Sequence, residues 1–359
     1  MIEIPLLLKS KKLASLDGLR GVSIAFVIFS HFIYVTAFNE QTNFGMVGVD
    51  IFFVISGFLI TTLLLKEQVL NGRISLRKFY IRRALRILPV VVLFLTVLLI
   101  LNQLFQLKIG ARSFLASILF IRNLPVPNCN DWQTAHFWSL GVEEQFYLIF
   151  PFLIARMKLK NYRNFIVFLI CLIPIVNYVY YNEVGIFVSN RIVHNITGVF
   201  ANLLGKGTAL ILVGSLLSVL MFGQSKWLSF VSRSNPRILS LFIFVLAIFV
   251  RIPSSILFIQ YFSEEVFAFL IGIVIILNLK GDNYLAKFLN LKWISFIGVL
   301  SYSLYIWQQI FTHEQPWSHS FPGSGSVLFN LPLLILVGFI SYHFYEKKFL
   351  LLKSRFSNA

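Results

Sequence analysis

The stretch "LDGLRGVSIAFVIFSHFIYVTAF", residues 16–38, decides the fold class of this 359-residue chain. It is apolar and long enough to cross a membrane as a helix, and similar runs of about 17 to 22 residues follow it. With 58% hydrophobic and only 13% charged residues, the chain has more apolar surface than one soluble core could bury. The sequence therefore predicts an all-α, polytopic membrane protein with about ten transmembrane helices.

The ten predicted spans are residues 17–38, 46–65, 87–107, 136–155, 163–182, 207–223, 237–252, 259–279, 292–312 and 326–346. Two shorter apolar runs, residues 112–122 and 191–205, are predicted to be interfacial or re-entrant segments on the outer side. No signal peptide is predicted, so we expect the first span to act as an uncleaved signal anchor.

The basic residues predict the orientation of these spans. Most of the 31 Lys and Arg residues fall at cytoplasmic ends if both termini face the cytoplasm, as the positive-inside rule requires. The formal charge of +17 is then explained by basic residues that orient the spans and contact anionic lipids. We expect no nucleic-acid partner, because no basic domain stands free of the membrane. The two cysteines, Cys129 and Cys171, are predicted at different depths and lack metal-ligand spacing.

Two ionisable residues of the first span lie on one helix face. Arg20 and His31 are separated by about three turns and about 16 Å of rise, so both project in nearly the same direction. An ionisable residue inside a membrane is by default a candidate functional group. The alternative is that Arg20 is a snorkelling anchor and His31 a hydrogen-bonded packing residue.

Three carboxylates are predicted near the depth of His31. Asp50 lies close to the outer end of the second span, and Glu143 and Glu144 lie about two turns into the fourth. A carboxylate beside His31 would set its tautomer and raise its basicity, as a general base requires. The alternative is a structural network between helices, and this holds for at least one of the adjacent glutamates, whose side chains diverge by about 100°.

The segment "NGRISLRKFYIRRALRILP", residues 71–89, carries a group of arginines: Arg82, Arg83 and Arg86. Guanidinium groups one turn apart on a short helix suit phosphate binding. Positive-inside topology and lipid headgroups explain the same residues without a ligand.

Six strings in order resemble the acyltransferase-3 family of membrane proteins, which O-acylate bacterial surface polysaccharides and related molecules. They are "LDGLRGVSIAFVIFSHF", "VGVDIFFVISGFLI", "RKFYIRRALRILP", "FWSLGVEEQFYL", "SYSLYIWQQI" and "YEKKF", between residues 16 and 349. The resemblance implies a ten-helix core over residues 17–348. Residues 1–16 and 349–359 are then short cytoplasmic segments, with no appended soluble domain.

The resemblance also implies the chemistry. A family member takes an acyl group, commonly acetyl, from cytoplasmic acyl-CoA and delivers it to an acceptor hydroxyl at the outer face. By position, His31 resembles the catalytic histidine, and Asp50 and Glu143 resemble the acidic positions. The expected donor-binding residues are Arg20, Arg82, Arg83 and Arg86. The expected substrate-binding residues are Glu144, Tyr147 and Trp307, and no metal is expected. One departure stands out: family members often show Trp-His where this chain has Trp307, Gln308 and Gln309.

The resemblance thus implies a multi-pass O-acyltransferase of the bacterial plasma (inner) membrane. Its expected co-substrate is acyl-CoA, taken as acetyl-CoA, and its expected acceptor is a carbohydrate or glycolipid, with a homo-oligomer left open. A transporter or flippase for a saccharide or lipid would also suit ten spans with buried charges, although the chain has no matching inverted halves. A scaffolding membrane protein would explain the spans but not the clustered ionisable residues.

Overall fold

The computed structural model describes residues 3–10, 13, 15–33, 44–181, 190–205, 207–225, 227–228, 231, 237–251 and 262–356. All regular secondary structure in these ranges is helical. Parts of the predicted spans lie outside them, namely residues 34–38, 182, 252 and 259–261. Most of the predicted basic loop between the sixth and seventh spans also lies outside.

Sixteen helices follow one another in the described residues. They are α1 (Leu16–Phe32), α2 (Phe44–Asn71), α3 (Leu76–Leu104), α4 (Ala111–Ile118), α5 (Trp132–Ala135), α6 (Phe137–Arg156), α7 (Leu159–Tyr181), α8 (Arg191–Leu203), α9 (Thr208–Phe222), α10 (Leu239–Arg251), α11 (Ser263–Asn278), α12 (Tyr284–Leu289), α13 (Lys292–Trp307), α14 (Gln309–Thr312), α15 (Val327–Ile340) and α16 (Lys347–Ser354). A 3₁₀ turn covers Leu6–Leu8, and a π-helical segment, Ser341–Glu346, joins α15 to α16.

Four helical stretches in the described part of the chain are long and apolar enough to cross a membrane: Phe44–Asn71, Leu76–Leu104, Leu159–Tyr180 and Val327–Ser354. The pair Ile192–Leu203 and Thr208–Phe222, bent by 54°, would add a fifth if it forms one broken span. Each of the ten predicted spans overlaps a helix, but the count of ten and the cytoplasmic termini stay predictions.

The structure corrects the start of the third predicted span. Helix α3 begins at Leu76 rather than near residue 87, and Pro89 lies inside it. The hydropathy pattern detects only the apolar part of a helix, whereas arginine and lysine are good helix formers that extend it into the polar region. Arg82, Arg83 and Arg86 therefore lie on the first three turns of a long helix, not in a loop or on a short helix.

Helix α2 packs closely on α9 through small residues. A Cβ atom at Gly57 would lie 1.8 Å from the carbonyl oxygen of Ile211, so only glycine permits this approach. Two hydroxyl hydrogen bonds continue the seam one turn further along, Thr61 to Ser215 at 2.7 Å and Thr62 to Ser218 at 2.8 Å. Small side chains and interhelical hydroxyl bonds are the usual means by which helices associate in a membrane.

Helix α1 packs closely on both α13 and α2. Gly21 of α1 and Gly298 of α13 face each other, and a Cβ at Gly298 would lie 1.6 Å from the carbonyl oxygen of Asp17. The glycines of "LDGLRG", Gly18 and Gly21, thus allow the neighbouring backbone to approach α1 closely. This close crossing holds α1 with Arg20 at one end and His31 at the other, called below the arginine end and the histidine end.

The carboxyl-terminal helix α16 is attached to α3 at the arginine end. Arg82 donates through Nη1 to the carbonyl oxygen of Phe356 at 2.9 Å and through Nη2 to Glu67 Oε2 at 2.9 Å. Glu67 also accepts from the amide of Ser75, just before α3, at 2.8 Å. Arg82 therefore joins the end of α2, the start of α3 and the end of the described chain.

Candidate active site

A narrow central cavity of about 80 Å³ lies between α1, α2, α3, α6 and α13. Because a water molecule needs only about 10 to 15 Å³ of such space, the cavity has room for several waters. Its polar lining is formed by Arg20, Arg83, Arg86, Ser56, Ser139, Glu143, Tyr147, Ser301, Tyr302 and Tyr305. Residues more than 280 positions apart in the chain therefore form one polar cavity inside an apolar bundle.

Glu143 is the carboxylate of this cavity. It accepts hydrogen bonds from Ser56 Oγ at 2.8 Å and from the Tyr147 hydroxyl at 3.1 Å. The guanidinium of Arg83 lies 3.9 Å from the centre of the Tyr147 ring, within the range of a cation–π contact. Its neighbour Glu144 lines neither this cavity nor the one described next and has no hydrogen-bond partner among the described residues.

A second cavity, called here the basal cavity, has a volume of about 420 Å³ and lies at the arginine end. Arg20 and Arg86 line both cavities, and Lys353 of α16 completes the basic lining of the basal cavity together with Arg82. Arg82 is already bonded to Glu67, whereas no carboxylate among the described residues is hydrogen-bonded to Arg20 or Arg86. Two carboxylates, Asp17 and Glu346, also line the basal cavity, so its four cationic side chains outnumber its two anionic ones. This excess of positive charge, together with the open volume, suits an anionic ligand.

His31 lies beyond the central cavity, at the histidine end of α1. Its Nδ1 atom is 2.6 Å from Oε1 of Gln308, and its ring meets the edge of Trp132 with 5.3 Å between centroids. Gln308 in turn donates to Gln309, and Gln309 to the carbonyl oxygen of Trp132. The ring of His313 also contacts Trp132, with 5.0 Å between ring centroids.

Ser139 and Tyr305 mark the boundary between the cavity and the histidine cluster. Their hydroxyl oxygens are 2.5 Å apart, so one hydroxyl donates to the other. The carbonyl oxygen of His136 lies within hydrogen-bond distance of both and accepts from the hydroxyl whose hydrogen is left. Phe52 packs against the Tyr305 ring at 6.2 Å. Tyr305 is one helical turn before Gln308, so the cavity ends about one turn short of the residue that holds His31.

Asp50 lies apart from His31. It is 1% exposed, and its Oδ2 accepts from Arg251 Nε of α10 at 2.5 Å, while Arg251 Nη2 donates to Glu264 at 3.1 Å. None of the contacts between described residues joins Asp50 to His31. The predicted support of the imidazole by a carboxylate therefore stays a prediction.

Comparison with known proteins places this arrangement in a family. A family model described as an acyltransferase domain, Acyltransferase 3, matches residues 13–348. The chain belongs to the acyltransferase-3 family. This agrees with the resemblance seen in the six strings, and the match extends from before α1 to the second residue of α16.

Among curated proteins, this acyltransferase-3 member is similar to the O-acetyltransferase OatA of Staphylococcus aureus. In strain NCTC 8325 / PS 47 and in strain COL the identity is 29% over 299 residues, which is 76% of this chain and 47% of the relative. A further strain COL protein, provisionally named an O-acetyltransferase, is 29% identical over 378 residues, 95% of this chain and 58% of the relative. The chain spans about half the length of the curated relatives it matches. No solved structure matches it significantly.

The structure brings five of the predicted site residues together and places the others in separate surroundings. Arg20, Arg83, Arg86, Glu143 and Tyr147 share the central cavity, whereas His31 and Asp50 have separate surroundings. Arg82 is held by Glu67, and Trp307 is 5% exposed and packs on Phe94 at 5.5 Å between ring centroids.

Two polar residues of the site, Ser301 and Tyr305, were not singled out from the sequence, and Gln308 was noted only as a departure from the Trp-His of family members. Ser301, Tyr305 and Gln308 follow at spacings of four and three, which places them on one face of a helix. That spacing could have indicated that "SYSLYIWQQ" presents a polar face. Lys353, by contrast, looks like any basic residue near a terminus, and nothing in the local sequence distinguishes it.

Proposed function

We propose that this acyltransferase is an integral membrane O-acetyltransferase of the bacterial inner membrane. It moves an acetyl group from cytoplasmic acetyl-CoA to a hydroxyl of a surface or exported carbohydrate, with His31 as the catalytic base. The observation that carries the proposal is the arrangement of α1, whose Arg20 lines two basic cavities while His31 lies at its opposite end. The O-acetyltransferase names of the relatives support the acetyl group and the oxygen acceptor.

The basal cavity supports the choice of donor. Arg20, Arg86 and Lys353 present cationic groups to a cavity of about 420 Å³, and CoA carries its phosphates at the end opposite to its thioester. Guanidinium and ammonium groups bind phosphates through charge-assisted hydrogen bonds. In the proposed complex these residues hold the phosphates, while the thioester end extends through the central cavity toward Ser139 and Tyr305.

The proposed reaction needs one base. His31 Nε2 accepts the proton of the acceptor hydroxyl as that oxygen attacks the thioester carbonyl. The carbon–sulfur bond then breaks, and His31 returns its proton to the departing thiolate, so the imidazole is regenerated. Glu143, held by Ser56 and Tyr147, lines the path of the donor rather than contacting His31.

An acyl-enzyme route on His31 is the competing mechanism. Direct transfer predicts that radiolabelled acetyl-CoA leaves no label on the protein when the acceptor is absent. Label that survives denaturation and is lost in His31→Ala would replace direct transfer by the two-step route.

The decisive experiment uses purified protein in proteoliposomes. With acetyl-CoA and carbohydrate acceptor, we expect release of free CoA thiol together with an O-acetylated acceptor, and we expect His31→Ala to abolish both. His319→Ala is the matched control, because His319 is exposed and lines neither cavity. Movement of a saccharide or lipid across the bilayer without thiol release would instead identify a transporter or flippase.

A further inference from the structure

The side chain of His31 ends a directional chain of hydrogen bonds that begins at a backbone carbonyl. The chain runs from the carbonyl oxygen of Trp132 through Gln309 and Gln308 to His31 Nδ1, with donor–acceptor distances of 2.8, 2.7 and 2.6 Å. Both glutamines are almost completely buried, with 0% and 2% exposure. Buried amides of this kind depend on their partners being correctly oriented, because no water can replace a lost hydrogen bond.

The first link fixes the orientation of Gln309. A backbone carbonyl can only accept, so the Gln309 side chain must present its NH₂ group to Trp132. In return the indole Nε1 of Trp132 donates to the main-chain carbonyl oxygen of Gln309 at 2.9 Å. This reciprocal pair holds α5 against α14 and leaves the Gln309 amide no alternative orientation that satisfies both partners.

The remaining links follow from the first. Because Gln309 points its NH₂ group at Trp132, its Oε1 faces Gln308, which must therefore present its own NH₂ group there. Oε1 of Gln308 is then left facing His31, and an oxygen without a hydrogen can only accept. The hydrogen on the neutral imidazole must consequently be on Nδ1.

We propose that Gln308, Gln309 and the carbonyl of Trp132 form a tautomer-setting relay that keeps Nε2 of His31 unprotonated and available as a base. Nε2 has no hydrogen-bond partner among the described residues, so this relay leaves the lone pair of the imidazole open. Gln308 and Gln309 are positioning residues: they act through His31. The inference rests on the proposed role of His31 and adds the groups that prepare it.

The relay gives a reason for a glutamine at position 308. The amide oxygen of Gln308 accepts from Nδ1–H without introducing a charge. Its NH₂ group donates to Gln309, so the orientation of one amide fixes that of the other. Hydrophobic substitution would remove the acceptor and leave the imidazole free to adopt either tautomer. A carboxylate at position 308 would keep the acceptor at Nδ1.

The test compares Gln308→Leu, Gln308→Glu and Gln309→Leu with the control Gln315→Leu. Gln315 donates to Phe311 and has no contact with the relay. We expect Gln308→Leu to lower kcat by about 10- to 100-fold without changing the KM for acetyl-CoA. Gln309→Leu should produce a smaller loss in the same direction. Gln308→Glu keeps the acceptor at Nδ1 but loses the donor to Gln309, so it should retain more kcat than Gln308→Leu, while Gln315→Leu keeps the wild-type kcat.

A second readout does not depend on activity. In ¹⁵N-histidine-labelled protein, with the His31 signals identified by their absence in His31→Ala, neutral His31 should show a protonated Nδ1 and an unprotonated Nε2. Gln308→Leu should yield both tautomers. A protonated Nε2 in the wild type, or an unchanged kcat in Gln308→Leu, would overturn the relay. Activity retained in His31→Ala would instead refute the proposed function, so the two failures are distinguishable.

Discussion

Asp50 forms an ion pair with Arg251, whose Nε atom lies 2.5 Å from the buried carboxylate. The pair joins α2 to the last residue of α10, and Glu264 at the start of α11 holds the other side of the same guanidinium. Asp50 is therefore a structural link between three helices, and its predicted support of His31 stays a prediction.

The Asp50–Arg251 pair makes a specific prediction about stability. Arg251→Met leaves Asp50 buried without its partner, which typically costs about 3 to 5 kcal/mol, so we expect a marked fall in the thermal unfolding temperature in detergent. The double variant Asp50→Asn, Arg251→Met removes both charges and should recover much of the loss. Glu264→Gln should have a small effect, because Glu264 is 31% exposed. A stable but inactive double variant would contradict a purely structural role for Asp50.

The arginines of α3 should differ in what they support. Arg86 lines both cavities and has no carboxylate bonded to it among the described residues, so Arg86→Met should raise the KM for acetyl-CoA about tenfold or more with little loss of stability. Arg82 is held by Glu67 and Phe356, so Arg82→Met should mainly lower the unfolding temperature. Steady-state kinetics and thermal unfolding of both variants provide the comparison. An unchanged KM in Arg86→Met would contradict donor binding and leave topology or lipid binding as the role of this group.

Lys353 is expected to contribute to donor binding from the carboxyl-terminal helix. Lys353→Met should weaken the binding of CoA, measured by calorimetry in detergent, by about 3- to 10-fold, because one phosphate-binding cation is lost. Lys348→Met is the matched control on the same helix: Lys348 is exposed and lines neither cavity. Unchanged CoA affinity in Lys353→Met would show that Lys353 of α16 does not contribute to donor binding.

Substitution of the two adjacent glutamates of α6 should affect activity to different extents. Glu143→Gln keeps the size of the side chain but removes the charge that accepts from Ser56 and Tyr147 in the central cavity, so we expect kcat to fall about tenfold or more. Glu144→Gln, one residue away and outside the cavity, should retain most of the activity. The measurement is acetyl transfer at saturating acetyl-CoA, and a larger loss in Glu144→Gln would show that the other glutamate faces the reaction path.

Several features of the site were predictable because they depend on local periodicity. The spacing of Arg20 and His31 put them on one face of a helix, and α1 does extend through both residues. The divergence of neighbouring helical side chains suggested a structural role for at least one of Glu143 and Glu144, and Glu143 lines the central cavity while Glu144 does not. The substrate-binding role expected of Glu144 stays a prediction. Hydropathy located the apolar helices but not their polar extensions, which is why the start of α3 was placed too late.

The sequence by itself determined the helical, membrane-type character of the chain, its family and the positions of the ionisable residues along each helix. These properties follow from composition, motifs and the period of the helix, all of which act over a few turns. Only the tertiary structure decided which charged groups became partners: Arg251 for Asp50, Glu67 for Arg82, and Gln308, 277 residues away, for His31. The reason is physical. A buried polar group must find a partner, and which partner lies within reach depends on how glycine-lined helices pack, not on distance along the chain.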